Sequence, residues 1–483
     1  MNKIFLLLIC FLFNYSDLNA QFFGGLNNDK GVAFCNINQD LFLTATTRSF
    51  GQGSEDIWLI KVNDDLQFEK AIEWGGVHHD IVADIIATYD EGVVLMGYSW
   101  DAPGSRTGIV IAKYDKLLNN QWISYISGQN NDLGYGLIET KNHEFLAVGL
   151  DKSQGELGAC SLIKIDENGV LKWQKFYDTP NKDIGMDVLE LNDGSLLVLV
   201  NVSSFEGKIS NSSDYLSEEA SRFMLIKTDS LGNEIWRNYY EGDKHSFGNK
   251  IISDSSENLF VVGSSMNNLN GSFDVCLHKL DQLGSIIWRK TFGGSSYDYG
   301  NSIDINNAGE ILLIGYSNYS LLNENPDLYV LKLDANGNEI WTLFFGSENS
   351  EYGNDGCFLN DGSALILGTS KSTFDGNADV LFFKTNADGM VLDTLKNTIT
   401  KSDNTPLLFP NPASLEFSIF LGQNSSNETF NLILFDISGK EVLNETFNNR
   451  VVKIPIEKRL KRGMYLYTIH GLDENYSGKL IIN

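Results

Sequence analysis

The sequence repeats itself seven times at a period of about 50 residues, and this repeat limits the folds that the chain can adopt. Each unit carries a Lys near the end of an apolar segment, and in five units a Trp follows nine residues later. The Lys residues are Lys61, Lys113, Lys164, Lys227, Lys279, Lys332 and Lys384, and the Trp residues are Trp122, Trp173, Trp236, Trp288 and Trp341. One such unit cannot bury both of its faces alone, so the units must stack on one another.

An acidic residue begins six of the seven units, and Ser246 stands in its place in the fifth. We call these residues the opening acids: Asp29, Asp80, Asp132, Asp183, Asp298 and Glu351. Within the sixth unit, the pattern predicts four strands at 301–305, 310–316, 328–333 and 339–345, with a Gly337 hairpin before the last. Four strands without a helix form one antiparallel sheet. We therefore predict an all-β fold, a seven-bladed β-propeller over residues 22–395.

The two ends of the repeat region predict how the ring closes. Phe22 and Phe23 precede Asp29 by the same number of residues as Thr291 and Phe292 precede Asp298. In the repeat, Thr291 and Phe292 are the end of a fourth strand. We expect both Phe side chains to be buried in the outer strand of the seventh blade, which holds Lys384.

The repeat also resembles a known family. Its pattern is Gly-Gly-x-x-x-Asp-x-Gly, an apolar strand ending in Gly, then Asp-x-x-x-x-Lys-x-Asp-x-x-Gly and Trp, clearest in 293–341. This resembles the bacterial SBBP-type β-propeller repeat. The resemblance implies a seven-bladed propeller and names no common reaction.

A polar linker, 396–406, separates the repeats from a different segment at 407–483. Alternating strands there, with a turn at Ser438–Gly439, predict a small immunoglobulin-like β-sandwich. The segment resembles the type A C-terminal sorting domain of type IX secretion. Its matching motif residues are Pro410, Asn411, Pro412, Gly439, Lys440, Gly463, Tyr465 and Lys479. The resemblance implies that the type IX secretion machinery is a partner and that the protein is secreted or held on the outer cell surface.

The first twenty residues have the order of a secretory signal peptide: Lys3, the apolar run 4–13, then polar residues up to Ala20. This predicts export to the periplasm. No stretch reaches the roughly 18 to 20 apolar residues of a membrane-spanning helix.

The net charge of the chain argues against polyanionic partners. The chain has 63 acidic and 36 basic side chains, a net charge of -27. Residues 407–483 hold eight of each sign and the signal peptide one of each, so the whole excess lies on the propeller and linker. Such a surface repels nucleic acid and anionic lipid.

The opening acids are the candidate binding residues, because in a closed ring they would circle one mouth of the central channel. One interpretation is a cation site; the other is that each carboxylate accepts N–H groups of its own turn. We interpret the repeated Lys as strand positions with exposed ammonium groups, and the repeated Trp as packing between blades.

Other reactive residues predict neither a metal site nor a cofactor. His78, His79 and His245 fall in units far apart around a ring, which does not suit zinc. Export permits a disulfide between Cys35 and Cys357, but equivalent positions on adjacent blades usually lie too far apart for one. We expect the four cysteines of the mature chain to be buried free thiols: Cys35, Cys160, Cys276 and Cys357. No recognised catalytic motif occurs, which favours a protein that is not an enzyme.

Variation between the units is concentrated in the loops between second and third strands, the longest being 202–222. These loops share one end of the blades with the opening acids, and we call this end the loop face; the opposite end, with its tight turns, is the hairpin face. Variation on one face of a repeat scaffold indicates a binding face. We therefore predict binding of a protein or glycan partner through the loop face. The alternatives are a polysaccharide-acting or other hydrolytic enzyme with its site at the channel mouth, and a purely structural surface component.

Overall fold

The computed structural model divides the chain into two compact units, residues 1–394 and 395–483. It describes residues 20–482 except 104–106, 127–130, 155–156, 204–220, 241–244, 267–271, 295, 319–324, 347–348, 372–376, 392–406, 410–415, 421–429, 437–439, 448–450, 456–459, 462 and 471–474. The expected signal peptide up to residue 19, the linker and most of the 202–222 loop lie outside these ranges. Within them there is no helix, and thus none that could cross a membrane.

The first unit consists of seven four-stranded antiparallel sheets, which we number as blades 1 to 7. Blades 1 to 3 contain β2 (Asp29–Ile37), β3 (Asp40–Thr47), β4 (Asp56–Val62) and β5 (Phe68–Trp74); β6 (Asp80–Ala87), β7 (Val93–Ser99), β8 (Gly108–Tyr114) and β9 (Asn120–Ile126); β10 (Asp132–Glu139), β11 (Phe145–Asp151), β12 (Ala159–Ile165) and β13 (Leu171–Tyr177). Blades 4 and 5 contain β14 (Lys182–Glu190), β15 (Leu196–Ser203), β16 (Arg222–Thr228) and β17 (Glu234–Tyr240); β18 (Ser246–Ser253), β19 (Leu259–Met266), β20 (Phe273–Leu280) and β21 (Ile286–Phe292). Blades 6 and 7 contain β22 (Asp298–Ile305), β23 (Ile311–Ser317), β24 (Asp327–Leu333) and β25 (Glu339–Phe345); β26 (Glu351–Phe358), β27 (Ala364–Ser370), β28 (Asp379–Thr385) and β1 (Gln21–Phe23).

The first strands of successive blades lie side by side and close into a ring, with β26 of blade 7 next to β2 of blade 1. Side-chain amides cross between these strands. Asn301 Nδ2 donates to the Gly353 carbonyl at 2.8 Å, and Asn354 Nδ2 donates to the Gly31 carbonyl at 2.6 Å. The ring of first strands encloses the central channel of a β-propeller.

Strand β1 supplies the outer strand of blade 7, which confirms the predicted ring closure. Phe22 pairs with Leu381 and Phe23 pairs with Val380. Phe23 is buried, but Phe22 is 40% exposed, so the expectation that both rings are buried is wrong. Successive side chains of a strand point to opposite faces of the sheet, and only one face of this edge strand meets the next blade.

The repeated Trp residues pack between blades, as predicted. Trp122 Nε1 donates to the Glu167 carbonyl of the next blade at 3.0 Å. A Cβ on Gly169 would lie 2.7 Å from the Trp122 ring, and Gly169 has a positive φ of 80°. Gly at this hairpin position therefore provides both the turn and the room for the ring.

The repeated Lys residues are not the freely exposed cations that we expected. Each Lys forms an ion pair with an acid at the turn between the first two strands of its own blade, as in Lys113 with Asp90 at 2.7 Å and Lys332 with Glu310 at 2.9 Å. Lys113 and Lys332 are buried. The other pairs are Lys61 with Asp40, Lys164 with Glu144, Lys227 with Asp193, Lys279 with Asp254, and Lys384 with Asp361. The acid at the turn between the first two strands lies close to the end of the third strand, where the repeated Lys is found. This proximity explains why the Lys ammonium group is paired.

The second unit contains two antiparallel sheets. In one sheet the strand order is β29 (Leu407–Phe409), β30 (Glu416–Phe420) and β33 (Val451–Pro455). In the other sheet it is β32 (Glu441–Phe447), β31 (Phe430–Asp436), β34 (Gly463–His470) and β35 (Asn475–Ile482). Its core includes Leu432, Leu434, Ile469 and Leu480, all fully buried.

Candidate functional site

The opening acids begin the first strands at the loop face, but their side chains are enclosed. All six are at most 2% exposed. Asp29, Asp80 and Asp298 each accept, through Oδ2, the N–H of the Gly four residues earlier, at 2.7, 2.8 and 3.0 Å. Asp183 accepts the N–H of Thr179, Asp132 that of Lys152, and Glu351 the hydroxyl of Ser370.

Burial raises the pKa of Asp29 and Asp80, and it raises the pKa of Asp183 and Asp298 to about 6. A carboxylate that is enclosed and engaged with its own turn has no surface to offer a ligand. This geometry favours the second of the two interpretations, in which the opening acids hold the loops in place.

The channel contains a charged cluster that the sequence reasoning missed. A β-bulge interrupts the pairing of the first two strands in every blade, and the residue after it is Ala33, Asp84, Gly136, Asp187, Lys250, Ser302 or Asp355. Lys250 Nζ of blade 5 lies 3.7 Å from Asp355 Oδ1 of blade 7, two blades away, so side chains at this position meet inside the ring. Across the seven aligned units, the position after the bulge holds an irregular mixture of acidic, basic and small residues. This irregularity is the signal in the sequence that could have revealed the cluster.

The channel carboxylates join neighbouring blades. Asp84 Oδ2 accepts the N–H of Leu137 at 3.0 Å, Asp187 Oδ2 that of Ile251 at 2.9 Å, and Asp355 Oδ2 that of Phe34 at 3.2 Å. Each acceptor lies on one first strand and each donor on the next. These three carboxylates therefore link the ring at three junctions, from blade 2 to 3, blade 4 to 5 and blade 7 to 1.

The electrostatics of the channel follow from this enclosure. Burial raises the pKa of Asp84 to about 7 and that of Asp187 to about 6, and the Lys250 ammonium opposes both shifts. Asp355, 3.7 Å from Lys250, holds the pKa of that ammonium above its usual value. The Lys250 side chain keeps 34% of its surface accessible, as expected of a group that lines a channel.

Hydrogen bonds hold the channel carboxylates on both of their oxygens. The Oδ1 atoms of Asp84, Asp187 and Asp355 each accept the N–H of the following residue, and Asp355 Oδ1 also accepts the Ser302 hydroxyl at 2.6 Å. Both oxygens of each carboxylate thus accept at least one hydrogen bond, which fixes the orientation of the carboxylates within the ring. Among the described residues, no three His, Cys, Asp or Glu side chains are placed to hold a metal ion.

A second unrepeated cluster lies open on the loop face at blades 1 and 2. Trp100, in the loop after β7, is 49% exposed. The backbone N–H of Trp100 donates to the His79 carbonyl at 3.0 Å. The indole ring of Trp100 stands edge-on to the His79 ring, with ring centroids 4.9 Å apart. An exposed Trp held at both backbone and ring is a rigid apolar contact point.

Hydrogen-bonded polar side chains adjoin Trp100. His78 Nδ1 lies 2.6 Å from Asp101 Oδ1, and His79 Nδ1 lies 3.0 Å from Glu55 Oε2. Arg48 forms a further pair with Glu55 at 2.8 Å. Although burial opposes it, hydrogen bonds from Arg48 and His79 hold the pKa of Glu55 below its usual value. We call Trp100, His78, His79 and Asp101 the Trp100 surface.

The remaining His and Cys residues lie apart from this surface. His245 is buried between blades 4 and 5, where its Nδ1 accepts the Ser221 N–H at 3.1 Å. All four cysteines are free, as expected; Cys160 and Cys276 are buried, but Cys35 and Cys357 are half-buried. Partial burial raises the pKa of Cys35 and raises that of Cys357 to about 12.

The described sorting-motif residues lie in or beside the strands of the second unit. Tyr465 is buried, and its hydroxyl accepts the Lys461 N–H at 2.9 Å and donates to the Lys461 carbonyl at 2.6 Å. Lys440 N–H donates to Asp436 Oδ1 at 3.1 Å. Gly463 begins β34, and Lys479 pairs with Leu466. Pro410, Asn411, Pro412 and Gly439 lie outside the described residues.

Residues 407–483 match the profile of the family described as the secretion system C-terminal sorting domain. This type IX secretion tail, attached to a propeller, marks the chain as a secreted or cell-surface protein. No curated protein sequence matches the chain significantly.

Solved structures resemble the chain at the level of fold. PorZ, an essential bacterial surface component of the type IX secretion system of Porphyromonas gingivalis, aligns over 93% of this chain with 11% identity and a TM-score of 0.41. The chain covers 59% of that PorZ chain. The β-propeller domain of the Trilobed protease from Pyrococcus furiosus aligns over 78% of this chain and 99% of its own, with 8% identity and a TM-score of 0.43. The Neurospora crassa Pan2 WD40 domain aligns over 74% of this chain and 89% of its own, with 11% identity and a TM-score of 0.40.

Proposed function

We propose that this protein is a secreted or cell-surface propeller that binds a protein or glycan partner through its loop face. The Trp100 surface carries the proposal. Arg48, Asn318 and Lys371 make the corresponding backbone hydrogen bond after the second strand of their own blades, so the fold does not require a Trp at position 100. A half-exposed Trp held rigidly among charged side chains has the composition of a binding hot spot.

The proposal assigns each part of the chain a task. Residues 1–20 serve as the signal peptide, 22–395 form a seven-bladed propeller, 396–406 are the linker, and 407–483 form an immunoglobulin-like sorting domain. The type IX secretion machinery recognises the sorting domain through its motif residues. The opening acids contribute by holding the loops that present Trp100.

The test compares binding of the full-length protein and of Trp100→Ala on protein and glycan arrays, with a hydrolase screen beside them. Tyr89→Ala is the matched control, because Tyr89 is 77% exposed at a hairpin on the opposite face. We expect Trp100→Ala to weaken binding roughly tenfold or more and Tyr89→Ala to leave it unchanged. Equal binding by all three proteins, or activity in the hydrolase screen without stable binding, would contradict the proposal.

A further inference from the structure

A continuous series of aromatic rings crosses blades 5, 6 and 7 at the loop face. Phe247 contacts Phe273 with ring centroids 5.9 Å apart, and Phe273 stacks on Tyr299 at 5.7 Å. Tyr299 stacks on Tyr316 at 4.9 Å, and Tyr316 meets Tyr352 edge-on at 5.0 Å. We call these five residues the aromatic ladder. Every one of them lies first or second from the loop-face end of its strand.

The ladder is built from buried and accessible rings together. Phe273 is fully buried and anchors the series. Phe247, Tyr299, Tyr316 and Tyr352 are partly exposed, and Tyr297 stacks on Tyr299 at 6.5 Å. The rings thus present an accessible aromatic surface on a rigid base.

The propeller fold does not require this surface. On the first strands of blades 1 to 4 the equivalent residues are Lys30, Ile81, Leu133 and Ile184, and their partners on the second strands are Thr46, Tyr98, Leu150 and Asn201. None of these first-strand residues is aromatic, and among their partners only Tyr98 is, so a blade of this ring can be completed without the aromatic rings. The aromatic residues of blades 5 to 7 need another explanation, and a ligand provides one.

Polar groups adjoin the ladder along the same strands. Asn249, Asn301 and Asn354 stand two residues after Phe247, Tyr299 and Tyr352, and all three are partly exposed. Each donates Nδ2 to the Gly carbonyl of the next blade, at 2.7, 2.8 and 2.6 Å. The amide planes are thereby fixed, and aromatic faces beside oriented polar groups are typical of sites that take an amphipathic ligand.

Charge selects among such ligands. The propeller and linker carry the whole net charge of -27, which repels polymers that bear carboxylate, sulfate or phosphate groups. A neutral polysaccharide meets no such repulsion. Its sugar rings offer C–H faces that stack on aromatic rings and hydroxyls that bond to amides.

We propose that the aromatic ladder is the stacking surface for a neutral polysaccharide chain that runs across blades 5 to 7. This proposal rests on the proposed function, because both place binding on the loop face. It adds the class of ligand, a neutral polysaccharide, and a second binding surface, the aromatic ladder. The ladder and the Trp100 surface lie on different blades, so substitutions separate them.

The experiment measures depletion of the full-length protein from solution by insoluble cellulose, chitin and starch, with polygalacturonate beads as the acidic comparison. The test variant is Tyr316→Leu combined with Tyr352→Leu, because blade 3 carries Leu150 and Leu133 at these positions. Tyr89→Leu, on the hairpin face, is the control. If the double variant does not fold, Tyr352→Leu alone takes its place.

We expect the parent protein to bind at least one neutral polysaccharide and not polygalacturonate. The ladder variant should bind at least tenfold more weakly, and the control should match the parent. The proposal is overturned if the parent binds none of the neutral polymers, or if the ladder variant binds as well as the control. A protein partner held through Trp100, without polysaccharide binding, would overturn the ladder and leave the loop-face proposal standing.

Discussion

A Cβ atom on Gly346 would lie 1.9 Å from Asp327 Oδ1. The carboxylate of Asp327, at the start of the third strand of blade 6, thus occupies the space that a side chain would need after the fourth strand. Asp56 with Gly75, Asp274 with Gly293, and Asp379 with Gly24 repeat this arrangement. In blades 1, 5 and 6 the Gly stands nineteen positions after its Asp. In blade 7 the Gly follows β1, so this pair joins the two ends of the ring. Glycine at these positions is required by contact with the carboxylate.

Replacing Gly346 by Ala should therefore destabilise the propeller. The added methyl must displace backbone or carboxylate, and overpacking of this kind costs about 1 to 3 kcal/mol in the free energy of unfolding. Urea unfolding measures it. Gly294→Ala is the control, because a Cβ there meets no atom within 4 Å. Equal stability of the two variants would contradict the contact argument.

The propeller should become more stable as the pH falls from about 8 to about 5. Burial raises the pKa of Asp84 and Asp327 to about 7 and that of Asp187 to about 6, whereas the unfolded chain titrates near 3.8. In this range the folded protein binds protons that the unfolded chain does not, so protonation favours folding. Thermal unfolding at a series of pH values measures the slope.

Asp327→Asn should raise the melting temperature at pH 8 and flatten that slope, because Asp327 Oδ1 is buried without a hydrogen-bond partner and Glu351 lies nearby. Asp334→Asn is the control, since hydrogen bonds from Asn338 hold the pKa of that exposed carboxyl below its usual value. A slope as steep in Asp327→Asn as in the parent would rule out this carboxyl as a source of the pH dependence.

Phe23→Ala should weaken ring closure. Phe23 is 8% exposed and packs with Val380 and Phe382 in the core between blades 7 and 1. Removing a buried Phe costs about 3 to 5 kcal/mol of unfolding free energy. Phe22→Ala, on the exposed side of the same strand, should cost less than about 1 kcal/mol. If the two variants unfolded at the same denaturant concentration, closure would not depend on Phe23.

Export should depend on residues 407–483. We expect a chain that ends at Thr405 to accumulate in the periplasm of a host with type IX secretion, because it lacks the sorting domain. Immunoblots of cell fractions measure this, with full-length Tyr89→Ala as the control for a surface change in the propeller. Truncated protein in the medium or on the cell surface at the full-length level would show that the tail is not the signal.

The repeat predicted the strands well, and the deviations have physical causes. In blade 6 three predicted strands differ from the observed ones by at most one residue, but the first begins at Asp298 instead of residue 301. Asp298 and Tyr299 already pair with Ser317 and Tyr316 before the bulge. A bulge breaks the alternation of buried and exposed side chains, which is the pattern that strand prediction uses.

The candidate sites were less predictable, because they depend on contacts between blades. The opening acids could be found from their spacing, but their burial could not. The channel residues Asp84, Asp187 and Lys250 share one column of the repeat and differ in type from blade to blade. Their association follows from the closed ring, in which residues as far apart in the sequence as Asp84 and Lys250 meet at the axis.

The central claim, that the loop face binds the partner, is tested most directly by blocking each face in turn. A bulky maleimide polymer attached to Cys in Asp101→Cys covers the Trp100 surface, and the same polymer on Glu91→Cys covers the hairpin face; parent protein treated with the polymer controls for the native thiols. The measurement is the dissociation constant for the strongest partner found on the arrays. We predict that the label at position 101 abolishes binding and that the label at position 91 leaves it unchanged. Binding that survives at position 101 and is lost at position 91 would contradict the account.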